Sequence, residues 1–181
     1  MFILASSSPR RKILLKEIVD EFIIVPPNVD EAILDLEPSR LSYEEARMKA
    51  YEVASRYPND EILSCDTIVI LDGIALGKPK DRNDALNMLK RQSGKKQVVI
   101  SSYTYLGKGK EISRSVKTYV YFKKLSEEQI IEYIDKFNPL DKAGSYGIQD
   151  NFPLIEKIEG SLKNVIGLPV EDIKSHIPLG K

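Results

Sequence analysis

The amino-acid sequence predicts an α/β fold built on a mixed β-sheet, and three stretches carry that expectation. The chain opens as strand, helix, strand. A strand-like run over 62–71 leads into Asp72-Gly73, the strongest short hairpin signal, and two segments rich in Val, Tyr and Thr flank Gly107 and Gly109 as a longer hairpin. Hairpins pair antiparallel, whereas an intervening helix allows parallel neighbours, so the sheet is mixed.

Each element has a local cause. Phe2, Ile3, Leu4 and Ala5 read as a short buried strand; Ser6-Ser7-Ser8 then offers a cap, with Pro9 at the first helical position. Ile13, Leu14 and Ile18 repeat at helical spacing, giving a helix over 9–19, and residues 22–25 form a second strand that Pro26-Pro27 ends. Ser42 with Glu45 has the form of a capping box, which places a helix over 43–56 with Ala46, Ala50, Val53 and Ala54 inward and Lys49 projecting from it. Residues 74–78 return from the Asp72-Gly73 turn. Asp81 caps a helix that carries Ala85, Met88 and Leu89 and stops at Gly94. The long hairpin spans 98–106 and 112–122, and Ser126 with Gln129 caps a helix ended by Asn138-Pro139. A glycine-rich loop over 141–149, a strand near 153–158, a turn at Gly160-Ser161 and a short helix after Pro169 complete the chain.

Composition narrows the function. The 181 residues hold 27 Lys+Arg against 27 Asp+Glu, with 42% hydrophobic and 30% charged residues, which suits one domain spanning 1–181. Zero formal net charge gives no general attraction to nucleic acid or an anionic membrane, so a polyanion site has to be assembled locally from a few cations. Cys65 stands alone, no apolar run approaches a membrane span, and the N-terminal residues do not have the basic-then-apolar pattern of an export signal; a cytoplasmic location is the expectation. With His176 the sole histidine, carboxylates, lysines and arginines must carry most of any catalysis. His176 itself reads as structural or solvent-facing, and Cys65 as a small buried strand residue.

Three features call for explanation. Arg10 and Arg11 sit in the first turn of a helix, where the macrodipole is positive and each cation costs about 0.3–1 kcal/mol if exposed. A bound phosphate chain reverses that sign, because guanidinium forks, the Ser8 hydroxyl and free N–H groups would all point at it; otherwise the two arginines reach into water or pair with Glu17 and Asp20. Asp66 is a carboxylate inside an apolar strand, which demands a cleft, a metal, a cation or neighbouring N–H groups. If Asp72-Gly73 makes a two-residue turn, paired indices sum to 145 and Thr67 faces Lys78. Asp66 and Lys78 then meet only through a bulge or a strand end, for which Gly77 and Pro79 provide a cause. Asp30-Glu31 forms an acidic pair after a proline break. Residues 142–149, with two glycines beside buried-type residues, imply a shaped loop that approaches something closely, although no Walker phosphate loop is present.

Taken in order, Leu4-Ala5-Ser6-Ser7-Ser8-Pro9-Arg10-Arg11, Val29-Asp30-Glu31, Lys49-Ala50, Asp66-Thr67-Ile68-Val69, Gly77-Lys78-Pro79, Ser93-Gly94, the stretch from Asp141 to Gln149, and Asn164-Val165-Ile166-Gly167-Leu168-Pro169 resemble the Maf family of nucleoside triphosphate pyrophosphatases. The resemblance spans nearly the whole chain. It implies a Maf/inosine-triphosphatase-like α/β fold, an elongated mixed sheet flanked by helices with two lobes around a central cleft, and often a homodimer. It also implies metal-dependent hydrolysis between the α and β phosphates of a nucleoside triphosphate, and the 141–149 stretch looks like the branch acting on dTTP and UTP. The same chemistry on 7-methyl-GTP or another base is an alternative, as is a non-catalytic regulator of septum formation. Asp150 stands where that pattern commonly has Gly, Gln97 where it often has His, and Cys65 where Ala is common.

On both readings Asp66 is the expected base, and Mg²⁺ or Mn²⁺ is expected on Glu31 and Asp66. Ser8, Arg10, Arg11, Lys49 and Lys78 are expected to bind the triphosphate, with Gln149 positioning the nucleotide or the water.

Overall fold

The computed structural model describes residues 1–30 and 36–179. Strand β1 (Phe2–Ala5) lies between β2 (Ile23–Ile24) and β3 (Glu61–Leu71) and runs parallel to both, with Leu4 beside Ile24 on one side and Leu63 on the other. The connecting helix α1 (Pro9–Leu15) has Ser8 as its N-cap and ends short of Val19. Helix α2 (Pro38–Arg56) differs more from expectation. Pro38 starts it, because a proline lacks only an N–H that the first turn leaves unpaired anyway. Ser42 and Glu45 therefore form no capping box: Ser42 is fully buried inside the helix, its Oγ 2.8 Å from the Oγ of Ser102.

The Asp72-Gly73 hairpin has the expected register. Val69 faces Leu76, Ile70 faces Ala75 and Leu71 faces Ile74, with both turn residues at positive φ (51° and 78°). Its return strand β4 (Ile74–Leu76) stops before Gly77, so Lys78 leaves the ladder. The opposite edge of β3 pairs antiparallel with β5 (Lys96–Gly107), which continues to β6 (Lys110–Phe122) and β7 (Ile155–Glu159). The strand order is β2-β1-β3-β5-β6-β7, with β4 also against β3.

Helices cover both faces of this sheet. Among the described residues one face receives only the helix α2, whose buried residues are Ser42, Ala46, Lys49, Ala50 and Val53. Small side chains let the helix approach closely: the Ser64 hydroxyl donates to the Ala46 carbonyl across the interface at 2.5 Å. The other face carries two apolar clusters. Helices α3 (Arg82–Gln92) and α4 (Glu127–Phe137) cover one around Val69, Val99 and Val120; α1 and α6 (Val170–His176) cover the other around Leu63, Cys65 and Tyr103. Helix α4 has the expected Ser126–Gln129 capping box and ends at Asn138 in the left-handed region.

A polar seam separates the two clusters. Thr67 and Ser101 share a hydrogen bond of 2.7 Å, and Ser101 donates to the Asn164 carbonyl at 2.9 Å. Asn164 lies on α5 (Leu162–Ile166), a short helix that the sequence pattern did not separate from its flanking turns. Its fully buried amide donates to the Val116 carbonyl at 3.0 Å and to Thr118 Oγ1 at 2.9 Å, fixing α5 to β6. Asn164→Ala removes both bonds from a buried site, so chemical denaturation should show a loss of about 2 kcal/mol; a change under about 0.5 kcal/mol, typical of surface positions, would remove this role.

Candidate active site

Two strands divide one edge of β3. β1 pairs with residues 61–64 and β4 with 69–71, while β5 holds the opposite edge throughout. Residues 65–68 thus face a gap between diverging neighbours, and a cavity of about 740 Å³ opens there. Because the gap exposes the strand's rim, side chains from both faces of β3 reach it: Asp66 and Ile68 from the α2 side, Thr67 and Val69 from the other. Ser8, Arg10, Arg11, Lys49, Lys78 and Gln149 all line the same cavity. The expected site residues within the described chain are thereby brought together, and Glu31 lies outside the described residues.

Arg11 points into the fold, and Arg10 lines the same cavity. Arg11 donates through Nε to the Gly167 carbonyl at 2.9 Å, through NH2 to Thr67 Oγ1 at 3.2 Å and through NH1 to Ser6 Oγ at 3.4 Å. These bonds aim a positive charge at the gap. Arg10 lies 3.9 Å from Asp141, where the glycine-rich loop begins, and Glu17 pairs instead with Lys163. At seven residues α1 is too short for its dipole to dominate, so the side chains supply the attraction for an anion.

Lys49 and Asp66 form the buried centre. Lys49 Nζ is 2.6 Å from Asp66 Oδ1, and the residues are 7% and 9% exposed. Burial pushes the Asp66 carboxyl up, but its contacts with Glu45 and Lys49 and the charge of Arg11 outweigh it and hold the group below its ordinary value. Asp66 is therefore ionised at neutral pH. Cys65, by contrast, is buried beside apolar neighbours and its thiol is pushed up to about 11, as befits a packing residue.

Glu45 is the residue that sequence reasoning missed. It lines the cavity one helical turn before Lys49, so both reach toward Asp66 from one stripe of α2. Its spacing from Ser42 suggested a cap and concealed this; the available signal was the i, i+4 relation to Lys49. The cavity also has apolar lining, from Val69, Val99, Val165 and Ile166 with Tyr146 and Ile148 of the glycine-rich loop. The cavity thus offers charged groups for phosphates and apolar surface for a flat ring.

A cleft at a divided strand edge, with converging cations and a buried carboxylate, defines an α/β protein built to hold a polyanion. Residues 1–177 match the family described as Maf-like protein, and the chain belongs to that family. A protein named dTTP/UTP pyrophosphatase from Pyrococcus abyssi is 43% identical over 181 residues, covering 99% of this chain and 96% of the relative. A protein of the same name from Carboxydothermus hydrogenoformans is 44% identical, covering 92% of this chain and 91% of its own. Among solved structures the likeness is slight: the Staphylococcus aureus Ham1 protein aligns at 18% identity with a TM-score of 0.42, over 67% of this chain and 70% of that one.

Removing Lys49 tests the electrostatics. Lys49→Met leaves Asp66 buried without its ammonium partner and should cost about 3–5 kcal/mol at pH 7. In the parent protein the depressed Asp66 value contributes stability above the unfolded value near about 4, and this is lost as the carboxylate protonates in acid. The deficit of the variant should therefore hold from pH 7 to about 4 and shrink as pH falls below about 4, measured as the difference between the two denaturation curves. A deficit that does not change with pH would show that the pair carries no such coupling.

Proposed function

We propose that this chain hydrolyses dTTP and UTP to the nucleoside monophosphate and pyrophosphate. The observation that carries the reading is the convergence of Arg10, Arg11, Lys49 and Lys78 on one cavity with the ionised Asp66. The names of the relatives at 42–44% identity support the choice of nucleotide. Cleavage between the α and β phosphates forms a bond from water oxygen to the α-phosphorus and breaks the bond to the bridging oxygen, whose electrons leave with pyrophosphate. Arg10, Arg11 and Lys78 neutralise the charge that grows on that leaving group. Asp66 accepts the proton of the attacking water, and Lys49 orients its carboxylate for that task. The apolar surface receives the pyrimidine ring.

The donor set fits a divalent cation. Among the described residues no group of three His, Cys, Asp or Glu side chains is placed to hold a metal ion, and Glu31 lies outside them. Asp66 and Glu45 nevertheless place hard carboxylate oxygens side by side, and Mg²⁺ is commonly held by one or two carboxylates plus substrate phosphates. Asp66, Glu45 and Glu31 would hold Mg²⁺ or Mn²⁺, which when bound offsets phosphate charge and acidifies the attacking water.

Product analysis across a panel of triphosphates tests the reading: pyrophosphate and monophosphate should appear together, fastest from dTTP and UTP, and sequential release of inorganic phosphate would sink it. Asp66→Asn should fold yet lose about 10²–10⁴-fold in turnover, the usual range for a general base. Glu45→Gln should weaken Mn²⁺ binding to the nucleotide-free protein, followed by calorimetric titration; unchanged affinity would take Glu45 out of the ligand set.

A further inference from the structure

The glycine-rich loop that contributes apolar lining to the cleft is fastened from behind. Tyr133, a fully buried residue of α4, accepts a hydrogen bond from the Gly147 N–H at 2.8 Å and donates its own proton to Asp150 Oδ2 at 2.5 Å. Its ring packs on Phe137 and on Phe152 just beyond the loop, with centroids 5.2 and 5.4 Å away. Asp150 also lies 4.0 Å from Lys142, at the start of the loop. The carboxylate fills the space beside Gly147 so closely that a Cβ built there would stand 2.7 Å from Asp150 Oδ2 and 2.8 Å from Oδ1. Glycine is required at 147 because of Asp150, not because of backbone conformation. Burial, followed by the hydrogen bond to Asp150, pushes the Tyr133 hydroxyl up, so it stays a proton donor across the working pH range.

We infer that Tyr133 and Asp150 are positioning residues that latch the 142–149 loop and thereby set the affinity for the nucleobase, while the phosphate-binding groups of the cleft are indifferent to them. The loop residues between the latch points, Tyr146, Gly147, Ile148 and Gln149, line the cavity, whereas Tyr133 and Asp150 do not. A slack loop would lose its grip on the ring and leave Arg11 and Lys49 in place, since contacts with Gly167, Thr67 and Asp66 hold those. This inference rests on the proposed hydrolysis of dTTP and UTP for its kinetic readout.

The test compares Tyr133→Phe, Asp150→Ala and Asp150→Asn in the full-length protein. Tyr133→Phe and Asp150→Ala should each raise KM for dTTP and UTP about tenfold, the equivalent of one buried hydrogen bond, with kcat changed less than about threefold. Inhibition by pyrophosphate, which uses only the cationic groups, should stay within about twofold of the parent. Asp150→Asn, which keeps an acceptor for Tyr133, should stay near the parent values. Gly147→Ala should raise KM alone but add little in the Asp150→Ala background, where its methyl group has room. Equal weakening of nucleotide and pyrophosphate, an unchanged KM, or additive effects of Gly147→Ala and Asp150→Ala would each overturn the latch. If the parent releases no pyrophosphate from either nucleotide, the proposed function fails while the latch stays testable. Hydrogen exchange at the Gly147 amide should accelerate in Tyr133→Phe and Asp150→Ala, and unchanged protection would refute it.

Discussion

A strand edge accepts one hydrogen-bonded neighbour at any position, and the site depends on how β3 meets that constraint. Its first residues pair with β1 and its last with β4, which arrive from different parts of the chain and cannot both continue through the middle. The unpaired rim at residues 65–68 is a consequence of topology, and Asp66 lies within it. A carboxylate in place of Leu63 or Leu71, both fully buried, would be enclosed by neighbouring strands and helices. Here it can meet Lys49 from α2, Arg11 from α1 and solvent-borne ligands together.

The electrostatics follow from the same geometry. A protein with no formal net charge cannot attract a triphosphate by its overall field, so the attraction is local and comes from a few cations on separate elements. Each is held by ordinary fold contacts. Arg11 is gripped by Gly167, Thr67 and Ser6, Lys49 by Asp66, and Lys78 follows the point at which β4 ends. The small and polar face of α2 belongs to this pattern as well. A helix with Leu or Phe at positions 42, 46 and 49 would bury more apolar surface, but it would stand farther from the sheet and fill the space that Lys49 occupies.

Much of this was legible in the sequence because it is local. The Asp72-Gly73 turn dictated a register, and the register allowed Asp66 and Lys78 to meet only through a bulge or a strand end; the ladder ends at Leu76, the second of these. The Ser126–Gln129 box was legible for the same reason. Ser42 and Glu45 have the same spacing and misled, because Pro38 had already begun the helix and tertiary contacts claimed both side chains: Ser42 meets Ser102 and Glu45 meets Asp66. Short α5 was hidden because five residues carry too little periodicity to register, and its anchor, Asn164, bonds to strands distant in sequence. Spacing rules see neighbours along the chain, whereas Glu45 and Asn164 derive their roles from neighbours across it.

The bond from Arg11 to the Gly167 carbonyl joins residues 156 positions apart. During synthesis the first arginines emerge early, but the carbonyl that orients Arg11 is among the later parts of the chain to leave the ribosome. Until that segment docks, the guanidinium has Thr67 and Ser6 but not its backbone anchor, and the polar seam with Asn164 is open. Contacts of such long sequence separation form late, after loop closure has been offset by packing elsewhere. A nascent chain therefore carries the charges of the cleft without their alignment, and capture of a polyanion begins only once the segment around Gly167 has docked on α1.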